Sequence, residues 1–527
     1  MAPSISAPPG PGADNKSAVR DDPAFLIDFA PDDPRDPRNW SELKKWLQLS
    51  LYLLPEIWAQ VISSIFAPAT PSSAEAVGVS EAAMRTVQAI YLYGFAVGPI
   101  VTAPVSEDYG RRYILFFSVF MVGICQLPCA LAGSIALMLP FRFVAGFFAA
   151  CTFNSIGNVG DMWSPDDQAW GVNAFALAAE TGAYLGSVIG GYIVQNIGWR
   201  WTFGAAGLGM ALVLILLVCF TQETRGGIIL AKVAKQKRKE TGDERWYCAH
   251  EREVQAKSIR DTLTETLGRP IWMLFSEPIV VATSLYDGFN YCIIYAFILG
   301  FALVYGKLYG FSIGNENLPF LAVFIGAVIG FLALPAQLAW QRRCVRKKGE
   351  LGPEDRLGWL ATAPLFPISL FWFAWTAAPN IHWSSSVIAT AIFGFSSHII
   401  FVAVSDYTAA CYSRFAASAV GAQSLMREIF SGSFTLFVVQ AYENVHWKTA
   451  APYSGFGTIL GIIAIILSLL PYALYVYGPK LRARSPFCVS QIQESKERKE
   501  KKEGLRDVVE TAGAPPGAEK RGAGASA

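Results

Sequence analysis

Apolar residues along this chain of 527 residues come in blocks of about 20, separated by polar segments. A helix needs about 20 consecutive apolar residues to cross a hydrocarbon layer roughly 30 Å thick. Because the block repeats twelve times, the pattern predicts an all-α polytopic membrane protein with twelve transmembrane helices. The predicted spans are 45–67, 86–106, 113–133, 136–158, 169–195, 200–220, 271–304, 318–340, 358–378, 385–411, 417–441 and 453–477.

A long polar stretch divides the twelve spans into two groups of six. Its first half is rich in lysine and arginine, as are the segments 342–348 and 480–484. Basic loops favour the cytoplasmic side, so both chain ends are expected in the cytoplasm. The predicted units are a disordered N-terminal tail at 1–44, a six-helix half at 45–220, a basic cytoplasmic central loop at 221–270, a second six-helix half at 271–478 and a disordered C-terminal tail at 479–527.

Composition agrees with a membrane protein and narrows the possible chemistry. Hydrophobic residues make up 53% of the chain and charged residues only 16%, whereas soluble domains contain roughly 25% charged residues. The nine cysteines and four histidines form no metal-binding or disulfide pattern in the sequence. The sequence also contains no glycine-rich phosphate loop and no nucleophile–base constellation. We therefore expect no metal, no cofactor and no nucleic-acid partner, and no enzymatic activity.

A short charged hairpin between predicted spans 2 and 3 is the most distinctive polar segment. It reads Pro-Val-Ser-Glu-Asp-Tyr-Gly-Arg-Arg over residues 104–112. Its glycine supplies the backbone freedom of a tight reversal, and its acidic and basic side chains can pair at the water boundary. An ordinary basic cytoplasmic loop is the alternative. The gating candidates are Glu107, Asp108, Gly110, Arg111 and Arg112.

The hairpin and the residues before it, Gly98–Arg112, resemble the loop between spans 2 and 3 of the major facilitator superfamily. The form Pro-x-Ser-Glu-x-x-Gly-Arg-Arg is similar to the fungal branch of twelve-span drug:proton antiporters. This resemblance implies two six-helix halves built from inverted three-helix repeats, and a latch at the cytoplasmic gate formed by Glu107, Arg111 and Arg112. The superfamily pattern has a basic residue where this chain has Asp108. The ion pairs of the latch are therefore expected to differ from those of the superfamily pattern.

Predicted span 4 carries Arg142 about six residues, or roughly 9 Å, into the helix. A charge at that depth needs a partner or a wet cavity. Arg142 matches the span-4 arginine that the resemblance links to proton coupling, and a structural clamp to a neighbouring helix is the alternative. Polar residues deeper in spans 4 and 7 suit a cavity wall, although polar helix contacts are equally consistent with them. The substrate-cavity candidates are Asn154, Asn158, Tyr291 and Asn290.

Small residues recur every four positions along one face of predicted span 5, which lets two helix backbones approach closely. This face resembles the signature of the antiporter branch. That signature usually has prolines where this chain has Ala183 and Ser187, so the choice between export and uptake stays open. The helix-packing candidates are Gly182, Gly186, Gly190 and Gly191.

Four carboxylates lie about 11 to 16 residues into their predicted spans, near the middle of the membrane or somewhat beyond it. A carboxyl group at that depth suits the uptake and release of protons. The alternatives are hydrogen-bonded helix contacts and, for Glu428, neutralisation by the neighbouring Arg427. The proton-coupling candidates are Glu180, Glu56, Asp287 and Glu428, together with Arg142.

These features favour a secondary transporter of small organic molecules. The resemblance implies proton-coupled efflux of a drug, toxin, secondary metabolite or organic acid by alternating access. The alternatives are a proton-coupled uptake carrier of the same fold and a nutrient sensor that does not transport. The expected partners are a small organic substrate, protons and the lipid bilayer, and a monomer is expected. The expected location is the plasma membrane, with the vacuolar or another internal membrane as the alternative.

Overall fold

The computed structural model describes residues 25–164, 167–256, 268–349, 351–445, 447 and 451–488. The predictions for residues 1–24, for the C-terminal tail beyond residue 488 and for residues 257–267 of the central loop lie outside the described residues. Within the described residues the chain is helical, with one isolated β-bridge between Leu26 and Tyr247. The predicted all-α fold is therefore confirmed.

Twelve principal helices or helix pairs lie close to the predicted spans. They are α1 (Glu42–Ser64), α2 (Glu81–Tyr109), α3 (Arg111–Leu131), α4 (Ile135–Ala149, continued by Ala150–Ser155 and Ile156–Met162), α5 (Ala169–Ile197), α6 (Arg200–Phe220), α7 (Pro278–Phe301, continued by Ala302–Leu308), α8 (Pro319–Leu332 and Leu334–Lys348), α9 (Leu365–Thr376), α10 (Ser384–Tyr412), α11 (Ala416–Asn444) and α12 (Ser454–Ser468 and Leu470–Arg484).

Nine of these helices in the described part of the chain are long and apolar enough to cross a membrane, and α2 makes ten if its two segments count as one span. Helix α9 is apolar but has only 12 residues. Helix α11 is not among the helices that are long and apolar enough to cross a membrane. It buries Gln423, Arg427 and Glu428 in its middle. A multi-helix membrane fold is thus established, while the count of twelve spans stays a prediction.

Local sequence explains where the first two helices begin and where α2 ends. Ser41 and Ser80 precede α1 and α2, and each serine Oγ accepts a hydrogen bond from a backbone N–H in the first turn. Such caps satisfy donors that the helix itself leaves unpaired. Helix α2 ends at Gly110, whose φ of 103° is a conformation that glycine adopts at little cost. The chain therefore reverses directly into α3.

The two groups of helices share one packing pattern. In the first group α1 packs on α5, α2 on α4 and α3 on α6; in the second, α7 packs on α11, α8 on α10 and α9 on α12. Glycines make matching close approaches: a Cβ on Gly94 would collide with the α4 backbone, and one on Gly326 would collide with the α10 backbone. This repetition fits two six-helix halves, whose exact boundaries remain a prediction.

Hydrogen bonds join the two halves near the ends of the helices that are predicted to be extracellular. On α2, the Arg85 side chain donates a hydrogen bond of 3.3 Å to the side-chain oxygen of Gln440 on α11. The Gln195 side chain at the end of α5 accepts a hydrogen bond of 2.8 Å from the backbone N–H of Gly314, just before α8. The halves are therefore held together on the predicted extracellular side.

The N-terminal segment and the central loop pack against each other. The Ile27 N–H donates to the Tyr247 carbonyl at 2.8 Å, and the central loop forms helices at Gly226–Thr241 and Ala249–Ala256. An ion pair of 2.7 Å joins Arg238 to Glu251, and hydrogen bonds to this carboxylate raise the pKa of the Arg238 guanidinium. Residues 25–44, which the sequence analysis places in a disordered tail, thus take part in defined contacts.

Candidate functional site

A buried arginine on α11 forms the first of two polar centres inside the helix bundle. The Arg427 side chain is only 3% exposed. Its Nε lies 3.1 Å from Oε1 of Glu428, and its Nη1 lies 3.7 Å from Oδ2 of Asp287 on α7. The rings of Phe153, Tyr291 and Phe401 surround the guanidinium at 4.9 to 5.2 Å. We call Arg427, Asp287, Glu428 and the residues that contact them the arginine centre.

The first half of the chain reaches the arginine centre through a short hydrogen-bonded chain. The Tyr291 hydroxyl on α7 donates to Gln60 Oε1 on α1 at 3.2 Å. Gln60 Nε2 in turn donates to Glu56 Oε1 at 3.3 Å. The second oxygen of Glu56 accepts a hydrogen bond of 2.5 Å from the Thr152 hydroxyl. The centre therefore contacts both halves of the bundle.

Two buried carboxylate oxygens at the arginine centre, Asp287 Oδ1 and Glu428 Oε2, have no hydrogen-bond donor among the described residues. The same is true of Asn290 Oδ1, one turn along α7 from Asp287. An unsatisfied buried acceptor costs about 1–3 kcal/mol. Asn290 uses its amide nitrogen in a long bond of 3.4 Å to the Ser397 carbonyl. The centre therefore offers acceptors to a proton or to a ligand that carries hydrogen-bond donors.

The second polar centre joins α5 to α10 and contains Glu180. Oε2 of Glu180 lies 3.0 Å from His398 Nδ1, and His398 Nε2 lies 3.0 Å from Asn173 Oδ1. Ser397 Oγ donates to the other carboxylate oxygen of Glu180 at 3.4 Å. Glu180 and His398 are each about 1% exposed. We call Glu180 and His398 the bridging pair, because they belong to different halves.

The charged hairpin between α2 and α3 uses partners other than those that the sequence suggests. Arg111 Nε pairs with Asp161 Oδ2 of α4 at 2.6 Å. The backbone N–H groups of Arg111 and Arg112 donate to the two oxygens of Glu223 at 3.3 and 3.2 Å. A carboxylate suits this position because the first N–H groups of a helix lack partners and carry a partial positive charge.

The two acidic residues of the hairpin stay apart from its arginines. Within the described residues, Glu107 is exposed and forms no ion pair. Asp108 contributes its backbone carbonyl, which lies 3.3 Å from His250 Nε2 of the central loop. Both precede Gly110 on the last turn of α2. The expected pairing of Glu107 and Asp108 with Arg111 and Arg112 is therefore replaced by pairing with Asp161 and Glu223.

Asn154 and Asn158 lie beside the hairpin rather than at the arginine centre. Asn154 Nδ2 donates to Thr102 Oγ1 at 3.2 Å. Asn158 Oδ1 accepts a hydrogen bond of 2.7 Å from Thr224 Oγ1, next to Glu223. Of the four cavity candidates, the structure thus places Tyr291 against the buried guanidinium and Asn290 one turn along α7 from Asp287.

Arg142 on α4 is fully buried and bonds to backbone carbonyls. Its Nε donates to the Val87 carbonyl at 3.1 Å, and its Nη2 donates to the Ile62 carbonyl at 3.2 Å. The ring of Tyr91 lies 4.5 Å from the guanidinium carbon. No carboxylate among the described residues forms an ion pair with Arg142. These contacts tie α4 to α1 and α2, which fits the clamp alternative.

The glycine face of α5 lies against α1. A Cβ at Gly182, Gly186 or Gly190 would collide with the backbone of α1 between Ile57 and Ile65, and one at Gly191 would meet the Ile313 carbonyl. Backbones can approach this closely only where side chains are absent. The face therefore holds Glu180 at a fixed position relative to α1.

Sequence reasoning missed His398 and Asn173, and it treated Arg427 only as a neutralising neighbour of Glu428. A signal was available, since a histidine in the middle of a predicted span is costly and usually has a partner. The partners themselves could not be found, because 218 positions separate Glu180 from His398.

Comparisons with known proteins agree with this architecture. The sequence profile of the Major Facilitator Superfamily matches residues 58–435. The chain is 33% identical over 476 residues to the multidrug transporter FLR2 of Candida glabrata, which covers 88% of this chain and 79% of the relative. It is 32% identical over 474 residues to the MFS-type transporter kojT of Aspergillus flavus, with 88% and 82% covered.

Solved structures show the same fold at low sequence identity. The xylose transporter XylE from E. coli, in a partially occluded inward open conformation, superposes with a TM-score of 0.55 at 16% identity, covering 81% of this chain and 99% of XylE. The profile match, the fungal relatives and this fold agree with each other. The chain is a multi-pass membrane transporter rather than an enzyme, and it belongs to the major facilitator superfamily.

Proposed function

We propose that the protein exports small organic molecules in exchange for protons, and that the arginine centre binds the substrate. The observation that carries this proposal is that Asp287 Oδ1 and Glu428 Oε2 lack donors among the described residues, although both carboxylates lie beside a buried guanidinium. Natural proteins rarely leave buried acceptors without donors. A substrate hydroxyl or amine would supply the missing donors.

The aromatic rings of the arginine centre favour substrates that are planar or amphiphilic in addition to carrying hydrogen-bond donors. Phe153, Tyr291 and Phe401 present their faces around Arg427, and ligand pockets usually combine aromatic walls with a few polar groups. Efflux is supported by the name of a further relative, the efflux pump FUB11 of Gibberella moniliformis, which is 30% identical over 469 residues, and drugs as substrates by the name of the multidrug transporter FLR2. The substrate class proposed here is therefore a small aromatic or heterocyclic compound with hydrogen-bond donors.

Alternating access would place this centre between the two halves. Facilitator carriers hold substrate near the bilayer midplane, at the interface of their repeats. Asp287, Glu428 and Glu56 lie near the middle of α7, α11 and α1, and the halves meet on the predicted extracellular side. Separation of the predicted cytoplasmic ends would then expose the centre to the cytoplasm.

Charge balance supports a role for protons. Glu56 lies near enough for its charge to interact with Arg427, so three carboxylates surround one permanent cation. Buried charges without counter-charges are expensive. Protons can neutralise the two excess carboxylates, and a substrate that carries donors can replace those protons. This competition would link substrate binding to proton release at the arginine centre, and proton-coupled transport would also require a proton to exchange at Glu180.

Transport by yeast cells tests the proposal. Cells that lack their own drug exporters would express the protein, and efflux of hydroxylated aromatic compounds, amines and heterocyclic drugs would be followed. Glu428→Gln should reduce efflux at least tenfold for any compound that the wild type exports. Glu443→Gln is the matched control, because Glu443 lies on the same helix in an exposed pair with Lys307. Equal efflux by the two variants would contradict the proposed site.

An uptake carrier is the second candidate, and one observation favours it. Helix α5 runs without a break from Ala169 to Ile197 and has Ala183 and Ser187 where the antiporter signature usually has prolines. The same cells distinguish the two directions. An exporter lowers the intracellular level of its compound, whereas an uptake carrier raises that level when the outside is made acidic.

A further inference from the structure

The bridging pair has a hydrogen-bond geometry that fixes where its protons lie. We infer that Glu180 and His398 form a proton-binding site, and that its single shared proton holds α5 of one half to α10 of the other. The role in transport rests on the proposed function, whereas the proton site itself rests on the geometry alone.

The Asn173 side chain has one amide orientation that satisfies both of its neighbours. Its Nδ2 donates to the backbone carbonyl of Phe331 on α8 at 3.0 Å. A carbonyl can only accept, so the amide nitrogen must face it. The amide oxygen of Asn173 therefore faces His398 Nε2 at 3.0 Å. Since this oxygen can also only accept, Nε2 must carry a proton.

The other ring nitrogen of His398 then shares a proton with Glu180. With Nε2 protonated, a neutral imidazole has a bare lone pair at Nδ1. A carboxylate oxygen 3.0 Å away also offers only lone pairs. The contact is favourable only if one proton lies between them, either on Nδ1 as an imidazolium or on Oε2 as a carboxylic acid. In both arrangements the pair has no net charge.

Loss of the shared proton breaks the bridge. The proton passes to water and leaves a carboxylate facing the lone pair of a neutral imidazole, so the pair has a charge of −1. The ring can restore the bond only by moving its remaining proton to Nδ1, and Nε2 would then face the Asn173 oxygen without a donor. Asn173 thus opposes the tautomer that would keep the bond between the halves without a proton from outside the pair.

The position of the bridge links this proton to opening. His398 lies at the midpoint of α10, and Asn173 lies one turn from the start of α5, which is predicted to be cytoplasmic. Opening toward the cytoplasm separates α5 from α10 and must break the pair. The bridge therefore favours a closed cytoplasmic side while the proton is bound, and its release accompanies opening.

Few other titratable groups act on the pair among the described residues. Tyr184 on α5 and Asp287 on α7 interact electrostatically with Glu180. Helix α8 contributes the Phe331 carbonyl and Gly330, which lies against the His398 ring. The middle carboxylate of α1, Glu56, is bonded to Thr152 and Gln60. Asp287 is thus a carboxylate through which the arginine centre could influence the bridge.

Nitrogen NMR of the full-length protein tests the inference without knowledge of the substrate. The chain has four histidines, so ¹⁵N-histidine labelling in lipid nanodiscs gives four imidazole signals, and His398→Gln identifies the signal of His398. As the pH rises, we expect one transition at Nδ1, from a hydrogen-bonded to a bare nitrogen, while Nε2 stays protonated. A neutral Nδ1–H tautomer in the wild type at high pH would overturn the inference.

Two nearly isosteric variants sharpen the test. In Glu180→Gln the amide N–H can donate to Nδ1 at every pH, so the Nδ1 transition should disappear. In Asn173→Leu the constraint on Nε2 is removed, so the Nδ1–H tautomer should appear after the transition. His382→Gln, at an exposed histidine, should leave the signal of His398 unchanged. Titration of His398 in Glu180→Gln as in the wild type would refute the shared proton.

The NMR result and the transport result can fail separately. A wild-type transition at Nδ1 without proton-driven efflux would leave the proton site standing and would contradict the proposed function. Proton-driven efflux without that transition would support the function and reject the bridge.

Discussion

The two buried polar centres of the bundle hold their charges in opposite ways. The arginine centre contains a guanidinium, which keeps its proton under all relevant conditions, and two of its carboxylate oxygens have no donor among the described residues. The bridging pair contains an imidazole and a carboxylate that can exchange one proton, and both nitrogens of His398 have hydrogen-bond partners. The arginine centre therefore has a fixed charge and unsatisfied hydrogen-bond acceptors among the described residues. The bridging pair has a variable charge, and its hydrogen bonds are satisfied.

This difference assigns distinct tasks to the two centres. A fixed cation beside unsatisfied acceptors responds to ligands, because a bound ligand can donate the hydrogen bonds that these acceptors lack. A saturated pair with one mobile proton responds to pH, because only that proton can change it. Asp287 interacts electrostatically with both Arg427 and Glu180, so it is the residue that could transmit a change from one centre to the other.

The largest expected effect comes from removing the fixed charge. Arg427→Leu leaves Asp287 and Glu428 without their shared cation, and the free energy of unfolding should fall by about 3–5 kcal/mol. Denaturant titration in detergent micelles measures this loss. Adding Asp287→Asn and Glu428→Gln to the same protein should recover most of it, because both carboxylates that pair with Arg427 are then neutral. No recovery would show that Arg427 acts mainly by filling space.

Removing Glu180 should cost less, because its partner can lose its charge. In Glu180→Ala, His398 releases its proton and stays neutral, so we expect a loss of about 1–3 kcal/mol from unpaired polar groups. Glu180→Gln keeps a donor toward His398 Nδ1 and should remain within about 1 kcal/mol of the wild type. The same titration compares the two variants. Equal losses would mean that the bond to His398 contributes nothing to stability.

The fold was largely predictable because its signals are local. Blocks of about 20 apolar residues locate the helices, and the fourfold spacing of Gly182, Gly186 and Gly190 predicts a close helix contact, which the structure places against α1. Residues 25–27 were missed because their partner, Tyr247, lies in the distant central loop. Local patterns thus specify elements, whereas pairing across the chain requires the fold.

The candidate site was predictable only in part for the same reason. Glu180, Asp287 and Glu428 were found because a carboxylate deep in an apolar span is costly wherever it lies. Their partners were not found. The free-energy cost of burying a carboxylate shows that it needs a partner, but it does not show which residue is that partner. Arg111 illustrates this limit: nearby acids were expected to bind it, but Asp161, 50 positions away, does.

The smallest expected effect on stability comes from the hairpin, outside both centres. In Arg111→Ala, Asp161 still forms its ion pair with Arg225 at 3.5 Å, and Glu223 still accepts its backbone hydrogen bonds. The free energy of unfolding should therefore fall by only roughly 1 kcal/mol. If the hairpin sets the balance between inward and outward states, maximal efflux should fall while the concentration for half-maximal efflux stays nearly constant. The matched control is Arg356→Ala, which breaks a half-exposed pair with Asp406 in the other half. A large loss of apparent affinity with normal maximal efflux would place the hairpin in substrate binding.

Proton flux through Glu180→Gln tests the central claim most directly. The purified protein would be reconstituted into vesicles that contain a pH-sensitive dye, together with a compound that the wild type exports. Wild-type vesicles should move protons opposite to the compound, and a pH gradient should drive the compound uphill. Glu180→Gln should lose both effects yet still exchange labelled for unlabelled compound, because its substrate site is intact. Wild-type proton flux in Glu180→Gln would contradict the account and place coupling at another residue.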